Sequence, residues 1–277
     1  MITERSRAAH SAAADLLSRR ALGVLREAES TSVAAGPLQA AAQHERTTVQ
    51  DACEKAASGP AVVAAAVRVL GADTLAPYLL SGRALPQAES AAVRLSLSAL
   101  PPAPHPAAAP PAGPEPPWTR AWIDWGLATV LTRLDPAGPG VAAPVPQGPP
   151  QCGDGAPRHR PAALPAGHQG GGEGWVPWSL RMGQLASLAL PGLDGPVHRS
   201  ARSGVLALAR GATRALLRTD FATAARIARW LAWLAADDVV LPVDVALLTQ
   251  DIALRGGGDR CLLDTAISHR LLGLENP

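Results

Sequence analysis

The C-terminal part of the chain, residues 175–277, has the clearest pattern of apolar and polar positions. Within it, apolar residues recur with the spacing i, i+3, i+4, i+7 at Ile227, Trp230, Leu231 and Leu234. This spacing places them on one face of an amphipathic helix, which Thr219 or Asp220 is suited to cap. The same periodicity predicts further helices. They cover residues 197–218, 242–254 and 259–272.

Residues 1–100 also have helical periodicity, but their side chains are mostly alanine and leucine. Helices are predicted between Gly and Pro breaks. They cover residues 3–29, 38–58, 61–70 and 86–100. Asp73 is suited to cap a further short helix that ends at Leu80. Because the alternation typical of strands is nowhere convincing, the predicted fold is an all-α helical bundle.

Two Pro/Gly-rich segments divide these helices. Residues 101–117 contain nine prolines and are predicted to form a polyproline-type linker. Residues 135–174 are also rich in Pro and Gly, and so long a segment is either disordered or a functional flap. The predicted organisation is an N-terminal helical segment (1–100), a Pro-rich linker (101–117), a Trp-bearing helix (118–134), a flexible linker (135–174) and a C-terminal helical bundle (175–277). The N-terminal segment is expected to be packed with the bundle or tethered to it.

The composition indicates a gene from a GC-rich bacterial genome. The 277 residues include one Phe, one Tyr and a single lysine, Lys55, whereas Ala, Arg, Pro and Gly are abundant. Since codon pressure accounts for part of the Arg and Trp content, neither residue type by itself indicates ligand chemistry. The formal net charge of +2 is lower than a dedicated nucleic-acid binder shows, so no nucleic-acid partner is expected.

The sequence shows no targeting segment and no cofactor motif. The start of the chain lacks the apolar core of a signal peptide, and no run reaches the roughly 18 apolar residues of a membrane span. A cytoplasmic protein without membrane contact is therefore expected. Cys53, Cys152 and Cys261 lie far apart, which argues against a disulfide framework or a zinc site. Metal-binding HExxH spacing and phosphate-loop motifs are also missing, so no metal and no cofactor are predicted.

The seven tryptophans fall into groups, two of which are candidate substrate-binding sites. Trp118, Trp122 and Trp125 have i, i+4, i+7 spacing and share one helix face. Trp230 and Trp233 form the second group, on the amphipathic helix. Such faces can line an aromatic pocket for a flat or cationic substrate. The alternative is core packing between helices in a protein with almost no Phe or Tyr to do it.

Arginines form a stripe before the acidic end of the chain. Arg210, Arg214 and Arg218 repeat every four residues, and aspartates prevail after Asp237. Arg214 and Arg218 are candidates for holding a phosphate or an acidic peptide, because guanidinium forks match those oxygens. The alternative is that basic and acidic helices face each other or form solvated surfaces.

Asp244, Asp251 and His269 are the candidate catalytic residues. Asp244 and Asp251 share one face of the predicted helix 242–254, and two carboxylates can act as acid and base when their environments separate their pKa values. Both also have structural explanations, since Arg255 follows Asp251 by one helical turn and Asp244 falls in the first turn. His269 is near a helix C-terminus, where the dipole favours a positive charge, and no orienting partner shares its face.

The segment SHRLLG, residues 268–273, resembles the Asn-Arg-Leu-Leu-Gly helix near the end of lantibiotic-dehydratase elimination domains. That family and the related thiopeptide-maturing proteins act on modified peptides. The upstream histidine of the motif is absent, with Thr265 and Ala266 in its place, and the N-terminal half of the chain does not match. No catalytic role is transferred from this short resemblance.

Two classes of function remain open. In the first, the protein is an enzyme or accessory protein of bacterial specialised-metabolite biosynthesis that binds a small molecule or modified peptide in an inter-helical pocket. As an enzyme it would be a cofactor-independent cyclase or an eliminase/lyase. In the second, it is a non-catalytic interaction or regulatory protein that docks a protein partner or a second copy of itself. A Trp-lined cavity would favour the first class, and solidly packed tryptophans would favour the second.

Overall fold

The computed structural model of the chain consists of α-helices joined by turns, loops and short 3₁₀ segments. It describes residues 4–27, 32–47, 59–101, 109–110, 113–141, 143–146, 148–152 and 174–274. No β-strand occurs within these ranges, so the predicted all-α class is confirmed.

Four of the described helices of the N-terminal half end within two residues of a Gly or Pro, as their sequences indicate, whereas the first, predicted over residues 3–29, ends at Leu25 without such a break. The helices of this half are α1 (Glu4–Leu25), α2 (Ala35–Thr47), α3 (Pro60–Leu70), α4 (Ala76–Ser81), α5 (Gln87–Ala99) and α6 (Glu115–Leu134). A 3₁₀ turn, Gly71–Thr74, joins α3 to α4. Gly71 has a φ of 64°, and an added Cβ would lie 2.5 Å from Ile123 Cγ2, so this junction requires glycine. The predicted helix 38–58 is observed as α2, and residues 48–58 lie outside the described part.

The C-terminal half contains the helices with the best apolar periodicity. They are α7 (Trp175–Gln184), α8 (Pro196–Ser203), α9 (Val205–Leu217), α10 (Phe221–Ala236), α11 (Val245–Arg255) and α12 (Asp259–Leu271). Asp220 caps α10 by accepting a hydrogen bond from the Thr223 amide at 3.1 Å, and Asp244 caps α11 by accepting one from the Leu247 amide at 3.0 Å. Of the two expected caps for α10, Asp220 is therefore the one observed.

Several helix boundaries differ from the sequence prediction. α2 begins at Ala35, so the expected break at Gly36 and Pro37 lies in its first turn, and α11 begins at Val245 and not at Pro242. The Trp-bearing helix starts at Glu115, so Pro116 and Pro117 lie in its first turn, where missing amide hydrogens cost nothing. The predicted helix 197–218 is two helices, α8 and α9, which meet at Gly204. A Cβ on Gly204 would overlap the indole ring of Trp178, so the break lets α7 approach closely.

The two halves of the chain pack against each other and share one hydrophobic core. α1 contacts both α3 and α12, and α10 contacts most of its C-terminal neighbours. Leu17 and Leu25 of α1 belong to the same core cluster as Trp230 and Ile267. The N-terminal segment is therefore packed with the C-terminal bundle and not merely tethered to it.

The Pro/Gly-rich segment predicted over residues 135–174 is described only in its first part and at Gly174. In that first part the backbone lies against the helices. Trp118 Nε1 donates a hydrogen bond to the Gly148 carbonyl at 2.9 Å, and the Ser200 hydroxyl donates to the Pro150 carbonyl. Residues 153–173 lie outside the described part, and most of the predicted flap lies with them.

One stretch within the described residues, Pro60–Ser81, is long and apolar enough to cross a membrane by length and composition. It comprises α3, the 3₁₀ turn and α4, and 83% of its most apolar window is buried in the fold. The sequence prediction that no apolar run reaches a spanning length did not include this stretch, because the stretch continues through the turn at Gly71. A mostly buried core helix passes the same test, so a single stretch is weak evidence of a span.

Candidate functional site

Three of the candidate tryptophans pack around a buried histidine, and a fourth packs against one of the three. We call this group the tryptophan cluster, and it consists of Trp122, Trp125, His198, Trp230 and Trp233. The His198 ring centre lies 5.1 Å from that of Trp233 and 5.5 Å from that of Trp230. The Trp122 and Trp125 rings meet edge to face at 5.5 Å. These distances are those of favourable aromatic packing.

The structure places the indoles of both candidate groups in the protein core. Trp118, Trp122 and Trp230 are each at most 1% exposed, and Trp125 and Trp233 are also buried. Trp230 Nε1 donates a hydrogen bond to the Met182 carbonyl at 2.6 Å. Packing between α6, α8 and α10 thus accounts for these tryptophans, which fill the core of a chain with only one Phe and one Tyr. Their proposed contact with a substrate stays a prediction.

His198 was not singled out by the sequence pattern. It is fully buried, its Nε2 lies 2.9 Å from the Leu188 carbonyl, and no partner for its Nδ1 is found among the described residues. Burial lowers the pKa of this imidazole, although the hydrogen bond to Leu188 and the charge of Asp194 oppose that effect. The tryptophan cluster therefore favours a neutral ring at its centre.

Protein stability is expected to fall in mild acid because of His198. Its pKa is lower in the folded than in the unfolded chain, so the unfolded chain binds the proton first as the pH falls below about 6.5. The full contribution is present above that pH and is lost below it. The free energy of unfolding, measured with urea, should fall between about pH 7 and about pH 5. This fall should be smaller for His198→Phe than for the wild type.

His269 contributes to the same pH window, because burial and then Arg26 lower its pKa. Part of the stability loss between about pH 7 and about pH 5 should therefore remain in His198→Phe. This loss should be smaller still in the double variant His198→Phe/His269→Phe. An equal loss in all three proteins would contradict the assignment.

Of the candidate phosphate-binding residues, Arg214 lies on the solvent face of α9 and Arg218 directly follows its last residue. Both are exposed, as are Arg210 and Leu206 on the same face, and Leu217 is 80% exposed. The structure therefore keeps the arginine stripe together but does not bring it to any of the other candidate site residues.

The candidate catalytic residues have separate positions and structural roles. Asp244 is the cap of α11, and Asp251 forms an exposed ion pair with Arg255. His269 is buried on α12 with a lowered pKa, so the positive charge expected at this helix end is disfavoured by burial. The structure thus places Asp244 and Asp251 in local contacts and His269 in the core. Their catalytic roles stay predictions.

Four charged residues meet where the two halves of the chain join. We call them the buried ion cluster, and they are Asp73, Arg229, Arg260 and Asp264. Asp73 lies 2.5 Å from both Arg229 Nη2 and Arg260 Nη2, and Asp264 lies 3.1 Å from Arg229 Nη1 and 3.3 Å from Arg260 Nε. Burial alone would raise the pKa of Asp73, but the charges of Arg229 and Arg260 outweigh it and lower the pKa. Asp73 therefore serves as a buried counter-ion and not as the helix cap that its position suggested.

A cleft opens beside the buried ion cluster, between α1, α3 and α6, and it reaches the ends of α7, α10 and α12. Its volume is about 1010 Å³. Apolar side chains such as Val69, Leu100 and Ile123 form most of its walls. None of the candidate tryptophans is among the described residues that line it. The Trp-lined cavity anticipated for a biosynthetic protein is thus not observed in the described part of the chain, and the packed tryptophans by themselves favour the interaction class. The cleft is a different candidate site with other walls.

Arginines supply most of the charge in this cleft. They are Arg68, Arg120, Arg226 and Arg260. Arg68 pairs with Asp124 and also donates hydrogen bonds to the Leu100 and Pro101 carbonyls, both at 3.1 Å. Arg260 is held by the buried ion cluster.

The two carboxylates of the lining are poorly suited to act as a general acid or base. Glu115 lies 3.6 Å from Arg181 Nη1, and Asp15 is exposed. No histidine or cysteine is found among the described lining residues, and no group of His, Cys, Asp or Glu able to hold a metal ion occurs in the described part of the chain. The lining is suited to binding a molecule with an apolar body and a polar group.

The cleft residues carry no local sequence signal, because they come from separate helices and each arginine resembles the many others in an Arg-rich chain. The tryptophan groups were visible in the sequence, whereas His198 and the partners of Asp73 were not. No protein-family model, curated protein or solved structure matches this chain.

Proposed function

We propose that this protein binds a bulky, partly apolar small molecule or modified peptide in the cleft between α1, α3 and α6. We further propose that it does so as a cytoplasmic accessory protein or enzyme of bacterial specialised metabolism. The observation that carries the proposal is the cleft itself, with a volume of about 1010 Å³ and mostly apolar walls. Pockets for drug-sized ligands have volumes of roughly 300–1,000 Å³ and similar walls.

An accessory or carrier role has more support than acid–base chemistry at this site. A general acid or base needs a positioned titratable group with a suitable pKa. The described lining offers only Asp15, which faces water, and Glu115, which lies close to Arg181. A binding role needs no such group, because apolar walls and a few polar atoms suffice.

Filling the cleft should abolish ligand binding. Ala14 of α1 lines the cleft and is only partly exposed, so Ala14→Trp puts an indole into the space. The neutral dye N-phenyl-1-naphthylamine fluoresces in apolar surroundings and serves as the probe. We expect one dye per wild-type chain and an affinity at least about tenfold lower for Ala14→Trp, measured by fluorescence titration.

The matched control is Ala222→Trp, which adds the same indole at an exposed position of α10 outside the cleft. It should leave the dye affinity unchanged, and circular dichroism should show both variants folded. If folded wild-type protein bound no dye, the proposal would fail. The alternative, a non-catalytic interaction protein, would then be favoured by the exposed Leu206 and Leu217 beside the arginines of α9.

A further inference from the structure

Two arginines of the cleft have no counter-ion among the described residues. Arg120 of α6 is exposed at the cleft, and Arg226 of α10 is partly buried in it. Arg68 and Arg260, by contrast, are committed to aspartates. A guanidinium group that is partly removed from water without a partner is costly, and a bound anion would offset that cost.

Arg226 lines the cleft where α10 packs against α7. Its Cβ lies 3.7 Å from the position of a Cβ built on Gly183, at the end of α7. Its charge also reaches Cys261, next to Arg260. Burial and then Asp264 raise the pKa of that thiol to about 11, and Arg226 opposes them. Arg226 and Arg260 both line the cleft, and Arg226 is close enough to Cys261 of α12 to act on its thiol.

A neutral group in the cleft also has no partner. Thr119 Oγ1 is buried and forms no hydrogen bond within the described part of the chain. Buried hydroxyl groups nearly always have a partner in the protein, in water or in a ligand. Thr119 and Arg120 are adjacent on α6, so the orphan hydroxyl and one of the uncommitted cations belong to the same wall.

We propose that the ligand of this cleft is an apolar molecule with one anionic group, a carboxylate, phosphate or sulfate, that Arg226 binds this group, and that Arg120 adds positive charge to the same cleft. The inference rests on the proposed function, since it names the chemical class of the molecule that occupies the same cleft. The apolar walls hold the body of the ligand, and the Thr119 hydroxyl, which solvent does not reach in this structure, has to rotate toward the cleft to bond one of its polar atoms.

Two dyes of the same shape test the charge preference separately from binding itself. 1-Anilinonaphthalene-8-sulfonate has the rings of N-phenyl-1-naphthylamine and adds one sulfonate. We expect the wild-type protein to bind the anionic dye at least about tenfold more tightly than the neutral one. Arg226→Gln should reduce this ratio by about tenfold, and Arg120→Gln should reduce it in the same direction, while the affinity for the neutral dye changes little.

Arg210→Gln is the matched control, because it removes the same charge from an exposed position outside the cleft. It should leave the ratio of the two affinities unchanged. Equal binding of both dyes by the wild-type protein would overturn the anionic class and leave the proposed function standing. The absence of binding by either dye would overturn both. A ratio that falls equally in Arg210→Gln would show a general effect of net charge and would also overturn the proposal.

Competition against the bound anionic dye then distinguishes the sources of negative charge. Decanoate, decyl phosphate and decyl sulfate share one chain and differ in the head group, and decanol is the neutral reference. Stronger displacement by any of the three anions than by decanol supports the proposal, and the strongest of them identifies the head group. Displacement by decanol as strong as that by all three would contradict it.

Discussion

Replacing Arg229 by methionine is expected to lower the free energy of unfolding by about 3–5 kcal/mol. Arg229 and its partners Asp73 and Asp264 are all fully buried. Without this guanidinium group, two carboxylates would share only Arg260, in a place that water does not reach. Urea denaturation followed by circular dichroism measures the loss.

Arg202 offers a control with the same chemistry and a different environment. It also pairs with two aspartates, Asp194 and Asp237, each at 3.0 Å, but its side chain is 38% exposed. Ion pairs in contact with water contribute little, so Arg202→Met should cost about 1 kcal/mol or less. A cost for Arg229→Met no larger than that for Arg202→Met would refute the importance of burial.

A second variant shows whether the loss comes from unbalanced charge. Arg229→Met/Asp264→Leu removes one charge of each sign and leaves Asp73 paired with Arg260. The double variant should be more stable than Arg229→Met alone, because no buried carboxylate then lacks a counter-ion.

Acid titration adds a second measurement of the buried ion cluster, since Asp73 has a lowered pKa in the folded protein. Its contribution to stability is present above about pH 4 and is lost as the pH falls further, and Arg229→Met should weaken that dependence.

Gly204→Ala is expected to destabilise the protein by about 1–3 kcal/mol, although it adds a single methyl group. The new Cβ would lie 2.7 Å from Trp178 Cζ2 and closer still to another atom of the same ring. Trp178 is fully buried, so its ring has no free space into which to move. Thermal unfolding and urea denaturation should both show the loss.

The same substitution should have the opposite effect in α1. A Cβ on Gly23 meets no atom within 4 Å, so Gly23→Ala should stabilise the protein by roughly 0.5–1 kcal/mol through helix propensity alone. A smaller residue at position 178, in Gly204→Ala/Trp178→Leu, should make the added methyl group less costly than it is beside the indole. If Gly204→Ala costs as much stability in the Trp178→Leu background as in the wild-type background, the cause lies in the backbone at position 204 and not in contact with the Trp178 ring.

The helices could be predicted from sequence because their signals are local. The apolar residues of α10 recur at helical spacing, and all of those that defined the pattern are buried. The cap Asp220 lies next to the turn it closes, whereas Asp244, predicted within the first turn of its helix, is the cap of a helix that starts at Val245. Proline was less informative, because it stops a helix in the interior but is tolerated in the first turn, as at Pro116 of α6.

The candidate cleft could not be predicted in the same way, because its residues are brought together only by the tertiary fold. Arg226 and Arg120 are far apart in the chain and carry no motif. Asp73 illustrates the same limit, since next to a short helix it has the pattern of a cap. Its role depends on Arg229 and Arg260, whose positions relative to Asp73 no local pattern records.

The buried ion cluster also constrains when the protein can complete its fold during synthesis. Asp73 precedes Arg260 by 187 residues, so it leaves the ribosome long before either arginine partner exists. Until then its carboxylate has to stay hydrated, and the apolar faces of α3 and α1 that pack around it cannot close fully. The early part of the chain thus has to wait until α12 has been synthesised, with its apolar surface available to chaperones in the meantime.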